Sequence, residues 1–530
     1  MAFLGNSGVG AMTCNLQRNT VIHREFRLAG RPFLGRSIAA FPLWCAVLLC
    51  LSRVVLGASP ARSSSPIAIH PENPHYYIYG GQPLILITSA EHYGAMINKD
   101  FDYVAYFDML KSYGLNSTRI YPGAMFEPQG KFLPGNTLGP RPWSLIVPWA
   151  RSAQPGYLFC GNKFDLDRWN DEYFARLKDF IAKAGERGII VEICFFNSQY
   201  SDTWPLSPLY HENNIQNVGE CSFVDAQTLK CPDVVAREAD YVREIVQEVN
   251  EFDNVILEIC DEPALFTPFS EAGAWVGHLI EVAAEAEKSL PKKHLIAQEV
   301  QGPVGGPIDF AGNPNLTVIV GQYVQAGGMD QMGGIKALDL EYQHNKPIEM
   351  NETYYYPLDY EDDKIADSRV EAWEFLVGGG ASFNQLNGVY TAENPTGNTA
   401  DNLRLLTGLK ILKDFIYSFD FIRMKQDRNF TVKGASPNAI CRGISEPGKQ
   451  YAFYLHHSTV MGRGHGYRAI PGSYVEHLEI ALPAGAYKLD WVDPATGSVV
   501  AFETIQHKGG EREFISPSHL VDIALRIKGI

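Results

Sequence analysis

The sequence predicts an α/β fold, a (β/α)₈ TIM barrel, followed by a small all-β sandwich. Short apolar or β-branched runs alternate eight times with longer helical patterns, as in a parallel sheet with crossover helices. This alternation stops near Phe421, and only short strand patterns separated by turn residues follow. Apolar residues make up 45% of the 530 positions and charged residues 20%, which excludes disordered, collagen-like and coiled-coil classes.

Residues 1–58 precede the barrel and have the features of a secretory signal peptide. They contain six arginines and one acidic residue, and Arg31 and Arg36 precede fourteen uncharged, mostly apolar residues at 38–51. Small residues follow at 57–59, as at a cleavage site. The apolar run is shorter than a bilayer span, which takes about 20 residues, so an uncleaved anchor is the less favoured alternative. We therefore predict a secreted or periplasmic protein with no membrane span after leader removal.

The charge of the chain argues against a nucleic-acid partner. Lys and Arg number 45 and Asp and Glu 60, so the formal net charge is -15. Outside the leader, 39 basic and 59 acidic residues remain. An acidic protein repels phosphate backbones, so we expect no nucleic-acid partner.

Six of the nine cysteines lie outside the leader. Cys221 and Cys231 flank a polar loop. In an exported protein a local disulfide between them and two separate thiols are equal alternatives. Neither a CxxC pair nor an HExxH motif occurs, so the sequence signals no metal site.

We assign residues 59–420 to the barrel domain and 421–530 to the sandwich domain. Barrel strands are predicted at 84–88, 116–121, 188–196, 254–260, 294–299, 317–323, 347–351 and 381–386. Helices with apolar residues three and four positions apart are predicted at 102–113, 169–187, 234–252, 272–289, 367–377 and 401–415. Sandwich strands are predicted at 450–456, 476–481, 486–492, 498–503 and 521–527.

Two glutamates follow barrel strands at the end where catalytic groups of this architecture lie. Glu262 comes directly after strand four and Glu352 directly after strand seven, on roughly opposite sides of the barrel. Two carboxylates that face each other across a cleft are what glycosidic bond cleavage requires. Carboxylates at the rim are common, so the prediction depends on the pair. We expect both side chains to be exposed at the rim, with Met350 pointing inward on the same strand face as Glu352.

The segments that contain these glutamates resemble the signatures of clan A glycoside hydrolases. Glu258-Ile259-Cys260-Asp261-Glu262-Pro263 is similar to the strand-four signature, whose Glu before Pro is the general acid/base. Residues 346–352, Lys-Pro-Ile-Glu-Met-Asn-Glu, are similar to the strand-seven signature, in which the Glu five residues after Pro is the nucleophile. This register selects Glu352 rather than Glu349. The resemblance covers the whole barrel and implies a carbohydrate substrate, with no metal or organic cofactor.

The same resemblance implies supporting residues and shows one departure. Arg119 is similar to the arginine that supports the nucleophile in clan A, and Tyr323 to its usual tyrosine partner. Position 261 is Asp where the clan usually has Asn, whose amide hydrogen-bonds the sugar 2-hydroxyl. An added negative charge beside Glu262 raises the pKa of one of the two carboxyl groups. Asp261 therefore suits an acid catalyst, or marks a different substrate, or marks lost activity, in that order.

Further segments are similar to the cellulase-like and apiosidase-like branch of the clan. They are His70–Pro74, Ser89–Tyr93 and the three glycines 378–380. Trp491–Gly497 resembles part of a C-terminal sandwich found in this branch, which is called a collagen-binding domain. The name does not establish collagen binding, and a purely structural sandwich is the favoured interpretation.

Several other residues are candidates for substrate contacts. Glu91 and His92 follow strand one and are expected to contact sugar hydroxyls. Asn197 lies just past strand three, and Trp204 in the next loop would stack on a sugar, with loop packing as an equal alternative. Tyr354 follows the proposed nucleophile and is expected to line the sugar site.

Together these features predict an enzyme, a secreted retaining glycoside hydrolase that acts on a polysaccharide or oligosaccharide. Glu352 would form the glycosyl-enzyme, and Glu262 would act as acid and then as base. The alternative is a catalytically impaired carbohydrate- or matrix-binding protein on the same scaffold. Asp261 is the feature that favours this alternative.

Overall fold

The computed structural model describes residues 65–91, 93–128, 138–300, 310, 312–321, 333–353, 356, 363–434, 436, 438–460 and 467–530. They belong to one compact unit, Ser63–Ile530. The proposed leader, 1–58, lies outside the described residues and stays a prediction. Among the described residues, no helix has both the length and the apolar character needed to cross a membrane.

The elements are numbered in chain order. The helices are α1 (Tyr103–Ser112), α2 (Asp171–Gly185), α3 (Pro232–Val249), α4 (Phe269–Glu287), α5 (Gly333–Glu341), α6 (Lys364–Val377) and α7 (Ala400–Ile416). The strands are β1 (Ala68–Ile69), β2 (Tyr77–Tyr79), β3 (Gln82–Leu84), β4 (Leu86–Thr88), β5 (Ser117–Ile120), β6 (Trp149–Pro155), β7 (Asn162–Trp169), β8 (Ile190–Asn197), β9 (Val255–Asp261), β10 (Leu295–Glu299), β11 (Val318–Val320), β12 (Ile348–Met350), β13 (Ser382–Asn384), β14 (Lys425–Gln426), β15 (Phe430–Lys433), β16 (Ala439–Glu446), β17 (Gln450–Val460), β18 (Tyr467–Ala469), β19 (His477–Leu482), β20 (Gly485–Val492), β21 (Val499–His507), β22 (Gly510–Ile515) and β23 (Asp522–Gly529).

Eight parallel strands form a nearly closed barrel in the order β4-β13-β12-β11-β10-β9-β8-β5. Between the two end strands, the Asn116 backbone N–H donates to the Ile87 carbonyl at 3.2 Å, and the Asn116 side chain also contacts the backbone of Ile85 and Ile87. The strands are buried on both faces, which is why they appear in the sequence as short continuous apolar runs. The TIM-barrel prediction and its eight strands are confirmed.

Helices cover the outside of the barrel. In α3, the buried residues Val234, Val242, Ile245 and Val249 recur on one helix face, and Pro232 occupies the first turn, where a missing N–H costs little. The six predicted helices are present, and α5 is an additional one. Strand β5 is followed by a hairpin, β6–β7, before α2 begins.

A small antiparallel sheet, β1–β3, lies at the N-terminal ends of the barrel strands. The Ile67 backbone N–H donates to the carbonyl of Asp253, just before β9, at 2.9 Å. From β2, the Tyr77 hydroxyl donates to a carboxylate oxygen of Glu349 at 2.5 Å. This sheet therefore reaches the interior of the barrel from the side opposite the proposed active site.

Antiparallel β-structure follows α7, as predicted. One sheet has the order β14-β16-β17-β23-β20-β21, with β18 paired to β17, and a second has the order β15-β19-β22. Their facing sides bury a separate apolar cluster that includes Phe453, Ile480, Leu489 and Phe514. Fully buried residues alternate with partly or fully exposed ones along β19, which explains why this strand was recognisable in the sequence.

Barrel helix α6 packs directly on the sandwich. The Arg369 guanidinium binds both carboxylate oxygens of Asp522, at 2.8 and 3.0 Å, and the Trp373 ring stacks on Tyr454 with centroids 5.4 Å apart. These contacts are buried or largely buried. The sequence boundary near Phe421 therefore marks a change of secondary structure within one packed unit.

Candidate active site

Glu262 and Glu352 lie at the C-terminal end of the barrel, directly beyond β9 and β12. Their exposed fractions are only 7% and 3%, so the expectation of exposed rim carboxylates is wrong. Around Glu352, side chains from the end of β5 and from the segment after β4 lie against the carboxylate. The negative charge of Glu262 acts on Glu352 and raises its pKa, although burial and Asp261 contribute more, so the two groups are near enough to interact electrostatically.

Three polar side chains surround the Glu352 carboxylate. Arg119 Nη1 donates to Oε2 at 2.8 Å, the Tyr121 hydroxyl lies 3.3 Å from the same oxygen, and the Tyr93 hydroxyl lies 3.4 Å from Oε1. Burial raises the pKa of Glu352 well above its usual value, and Asp261 raises it further, whereas Arg119 opposes the shift. These contacts hold Glu352 in one position, and the charge of Arg119 stabilises its ionised form.

Arg119 is itself fixed by a second carboxylate. Its Nε and Nη2 donate to the two oxygens of Glu258, each at 2.7 Å, and Nη2 also donates to Asp261 at 3.0 Å. Bidentate pairing of this kind sets the orientation of the guanidinium plane. Glu258 therefore directs the remaining arm of Arg119 toward Glu352.

Asp261 is the last residue of β9, and it faces the partners of Glu352. Its Oδ1 accepts from Arg119, and its Oδ2 accepts from the Tyr121 hydroxyl at 2.7 Å. From the sequence, its charge is expected to act on the adjacent Glu262. Its side chain instead joins the hydrogen-bond network of Glu352.

The backbone of Glu262 adopts a conformation that is rare for a residue with a side chain. Its φ is 48°, in the left-handed region, which costs roughly 1 to 2 kcal/mol for a non-glycine residue. The turn is held by Glu299, whose Oε2 accepts from the Glu262 N–H at 2.9 Å, and by the Ser198 hydroxyl, which donates to the Glu262 carbonyl. The chain therefore bends sharply at Glu262, directly after the end of β9.

A deeper layer of polar side chains lies below this network. Glu192 and Glu349 hydrogen-bond each other, burial raises the pKa of both, to about 7 for Glu349, and Asn351 donates to Glu192 at 3.1 Å. Glu349 and Asn351 thus point into the barrel, so alternation along β12 puts Met350 on the opposite face. The expectation that Met350 points inward is wrong, because Glu352 lies past the strand end, where strand alternation no longer applies.

Glu91 has a different surrounding from the one predicted. Its carboxylate accepts from the backbone N–H groups of Tyr93, Gly94 and Ala95 at 2.9 to 3.2 Å. It is 2% exposed, and burial raises its pKa to about 7. Glu91 therefore shapes the loop that presents Tyr93 to Glu352, and contact with a sugar hydroxyl is not its evident role.

Asn197 and Trp204 are both buried. Asn197 ends β8, pairs in register with Asp261, and its carbonyl accepts from Gln227 at 2.8 Å. Trp204 donates from its indole N–H to the Cys221 carbonyl at 2.9 Å and is 3% exposed. Trp204 therefore packs within its loop and is not exposed for stacking on a sugar.

Three candidates, His92, Tyr323 and Tyr354, lie outside the described residues, and their predicted roles stay predictions. Sequence reasoning missed Tyr93, Tyr121 and Glu258 as members of the site. Tyr121 and Glu258 each lie two or three residues from a predicted site residue, so their position near the strand ends was the available signal. Within the described ranges, no three His, Cys, Asp or Glu side chains are grouped in a way that would hold a metal ion.

Comparisons with known proteins bear on the fold. No protein-family model and no curated protein matches the chain. Among solved structures, the chain is similar to one described as a glycoside hydrolase, at 14% identity and a TM-score of 0.56, over 88% of this chain and 97% of the other. It is also similar to a family 5 glycoside hydrolase from Bacteroides vulgatus, at 12% identity and a TM-score of 0.56, over 88% and 94%. At these identities the similarity establishes the shared barrel fold, which extends over most of both chains.

Proposed function

We propose that the protein is a secreted retaining glycoside hydrolase in which Glu352 is the nucleophile and Glu262 the general acid/base. One observation carries the proposal: the glutamates beyond the ends of β9 and β12 interact electrostatically, and Arg119 and Tyr93 donate hydrogen bonds to Glu352. The solved structures that share the fold are described as glycoside hydrolases, which supports the same reaction class.

The proposed reaction has two displacement steps. Glu352 attacks the anomeric carbon while Glu262 gives its proton to the glycosidic oxygen, so the C–O bond breaks as the glycosyl-enzyme ester forms. Glu262 then takes a proton from water, whose oxygen displaces Glu352 and restores the starting enzyme. Arg119 and Tyr93 stabilise the carboxylate that departs in the second step.

The assignment of Glu352 rather than Glu349 is supported by the depth of the two side chains. Glu349 is fully buried, and its hydrogen bonds go to Tyr77, from the N-terminal sheet, and to Glu192. A carboxylate in this layer lies below the C-terminal rim, where a sugar binds in this architecture. Glu352 lies three residues later, beyond the strand end.

A catalytically impaired carbohydrate- or matrix-binding protein is the second candidate. The observation that favours it is the low exposure of both glutamates, together with the carboxylate of Asp261 in a position that usually carries an amide. This candidate predicts saturable binding of a glycan without turnover.

A panel of aryl glycosides and polysaccharides separates the two candidates. We expect the purified mature protein to hydrolyse at least one member with retained configuration. Glu352→Ala should lower turnover by about three orders of magnitude or more, because no covalent intermediate can form. Added azide should restore reaction with an activated substrate and give a glycosyl azide of inverted configuration.

The matched control is Glu349→Gln, which removes a carboxylate three residues earlier. Its turnover should stay near that of the parent protein, with folding checked by circular dichroism. If Glu349→Gln lost activity and Glu352→Ala kept it, the register would be wrong. If the parent protein bound glycans but turned over none, the binding-protein candidate would replace the enzyme.

N-terminal sequencing of the exported protein tests secretion, and the sequence obtained should begin near Ser59.

A further inference from the structure

Asp261 and Glu352 compete for the same two donors. Arg119 gives Nη1 to Glu352 at 2.8 Å and Nη2 to Asp261 at 3.0 Å. The Tyr121 hydroxyl lies 2.7 Å from Asp261 Oδ2 and 3.3 Å from Glu352 Oε2. All four side chains are nearly or fully buried, so water does not replace a donor that either carboxylate lacks.

The single proton of Tyr121 decides between the two carboxylates. Arg119 Nη1 donates to the Tyr121 oxygen at 3.2 Å, which leaves the hydroxyl proton for one acceptor. The shorter contact assigns that proton to Asp261. Glu352 keeps the contact from Arg119 and the longer contact from Tyr93.

We propose that Asp261 is a positioning residue that withholds the Tyr121 proton and part of the Arg119 charge from Glu352, and so keeps Glu352 a stronger nucleophile than Asn at position 261 would. The inference rests on the proposed function, since it assigns Glu352 the attack. It gives the carboxylate at position 261 a role in catalysis.

An isosteric amide would reverse the hydrogen-bond direction. In Asp261→Asn, the amide oxygen still accepts from Arg119, but the amide NH₂ donates to the Tyr121 oxygen. The Tyr121 hydroxyl then turns toward Glu352, and the negative charge beside Glu352 is lost. Both changes stabilise ionised Glu352 and make it a weaker nucleophile and a better leaving group.

The charged and titratable groups around Glu352 agree with this direction. After burial, the charge of Asp261 contributes most to the raised pKa of Glu352, Arg119 opposes it, and Glu262 adds a smaller increase. Described groups that contact Glu352 or act on its charge come from the ends of β5 and β9 and from the segments that follow β4 and β8, and they include Tyr93, Arg119, Tyr121, Tyr200, Asp261 and Glu262. Removing the Asp261 charge therefore lowers the pKa of Glu352.

The test is the pH profile of kcat/KM for Asp261→Asn and the parent protein on an activated aryl glycoside, which needs little help from Glu262. The acid limb reports ionisation of Glu352, because only the carboxylate attacks. We expect this limb to move to lower pH by about one unit or more in Asp261→Asn. Glu192→Gln is the control: it removes a carboxyl of the deeper layer, outside the direct contacts of Arg119 and Tyr121, and should leave the acid limb in place.

A second variant covers the case in which Asp261→Asn fails to fold. If the Tyr121 proton belongs to Asp261, Tyr121→Phe should move the acid limb little. A clear move to higher pH would show that Tyr121 donates to Glu352, and would overturn the proposal. An unchanged limb in folded Asp261→Asn would overturn it as well, with the hydrolase assignment intact.

A titration that needs no turnover separates failure of this inference from failure of the proposed function. Carboxyl carbons of 13C-labelled glutamate can be followed by NMR, and comparison with Glu352→Gln assigns the Glu352 signal. We expect its midpoint to fall in Asp261→Asn. If the midpoint falls but no glycoside is hydrolysed, the proposed function fails and the proton assignment stands. If the midpoint does not fall, the inference fails.

Discussion

At the scale of single residues, Glu262 is placed by its backbone as much as by its strand. The sequence motif identified Glu262, but no sequence signal predicts a φ of 48° for a glutamate, since Gly and Asn are the residues that usually adopt it. Glu299 and Ser198 hold this turn from neighbouring strands. The position of Glu262 at the strand end could be predicted from its motif. The burial of Glu352 could not be predicted, because it depends on side chains distant in the chain.

The role of Glu262 predicts a dependence on the leaving group. Glu262→Ala should lower kcat/KM by roughly a hundredfold or more for substrates with poor leaving groups, because these need a proton. Activated aryl glycosides should lose far less in their first step. Both substrates are measured on the same protein preparation. Misfolded protein would lower both rates by the same factor, so the ratio of the two rate losses is independent of folding. Equal losses on both substrates would contradict the assignment of Glu262 as the acid.

At the scale of elements, the strands and helices of the barrel could be predicted because each carries a complete local pattern. The contents of the loops could not. The segment between β8 and α3 looked like a place for sugar contacts, yet Gln227 of this loop binds the Asn197 carbonyl and the Gln199 N–H, at 2.8 and 2.9 Å. The loop therefore fixes the end of β8 beside Asp261. Such contacts depend on which distant residues the fold brings together. The spacing of apolar residues along the chain does not contain that information.

The same loop carries a testable covalent link. Cys221 and Cys231 are free thiols in the structure, and their side chains lie within hydrogen-bonding distance of each other. In an oxidising compartment we expect them to form a disulfide that closes the loop and stabilises the fold by roughly 2 to 3 kcal/mol.

Alkylation of the exported protein, followed by peptide mapping without reduction, checks the link. The expected product is one cross-linked peptide pair, and Cys441, which has no cysteine partner in the described residues, is the internal control for alkylation. Recovery of both Cys221 and Cys231 as alkylated peptides would contradict the link.

At the scale of the whole molecule, the barrel and the sandwich meet through buried charges. Glu374 on α6 lies 3.1 Å from His456 and 3.1 Å from Arg442, and Arg442 also binds Asp339 at 2.7 Å. The sequence predicted both folds but not this junction, since its partners are more than sixty residues apart. The contacts favour a structural role for the sandwich, and we expect limited proteolysis near Phe421 not to release two folded pieces.

The junction predicts a loss of stability in acid. Burial by itself would raise the pKa of Glu374, but His456 and Arg442 lower it from 4.5 to about 2. A lowered folded-state pKa stabilises the fold above pH 4.5, and this contribution is lost as the pH falls through 2. Glu374→Gln should cost roughly 3 to 5 kcal/mol at neutral pH and flatten this acid dependence.

Melting temperature measured across this pH range tests the prediction. The surface variant Glu503→Gln, which removes a half-exposed partner of Arg512, should cost less than about 1 kcal/mol. A Glu374→Gln protein that melts like the parent at neutral pH would contradict a stabilising role for the junction.

The central claim is that Glu352 becomes covalently bonded to the sugar, and trapping tests it most directly. In Glu262→Gln, an activated aryl glycoside should still glycosylate the enzyme, because its leaving group needs no proton, but hydrolysis of the ester lacks its base. The intermediate should therefore accumulate and survive rapid acid quenching. Peptide mass mapping is predicted to find the sugar on the peptide that contains Glu352, with fragmentation assigning it to that residue. A sugar on Glu349 or Asp261, or a turnover that inverts configuration with no adduct, would contradict the account.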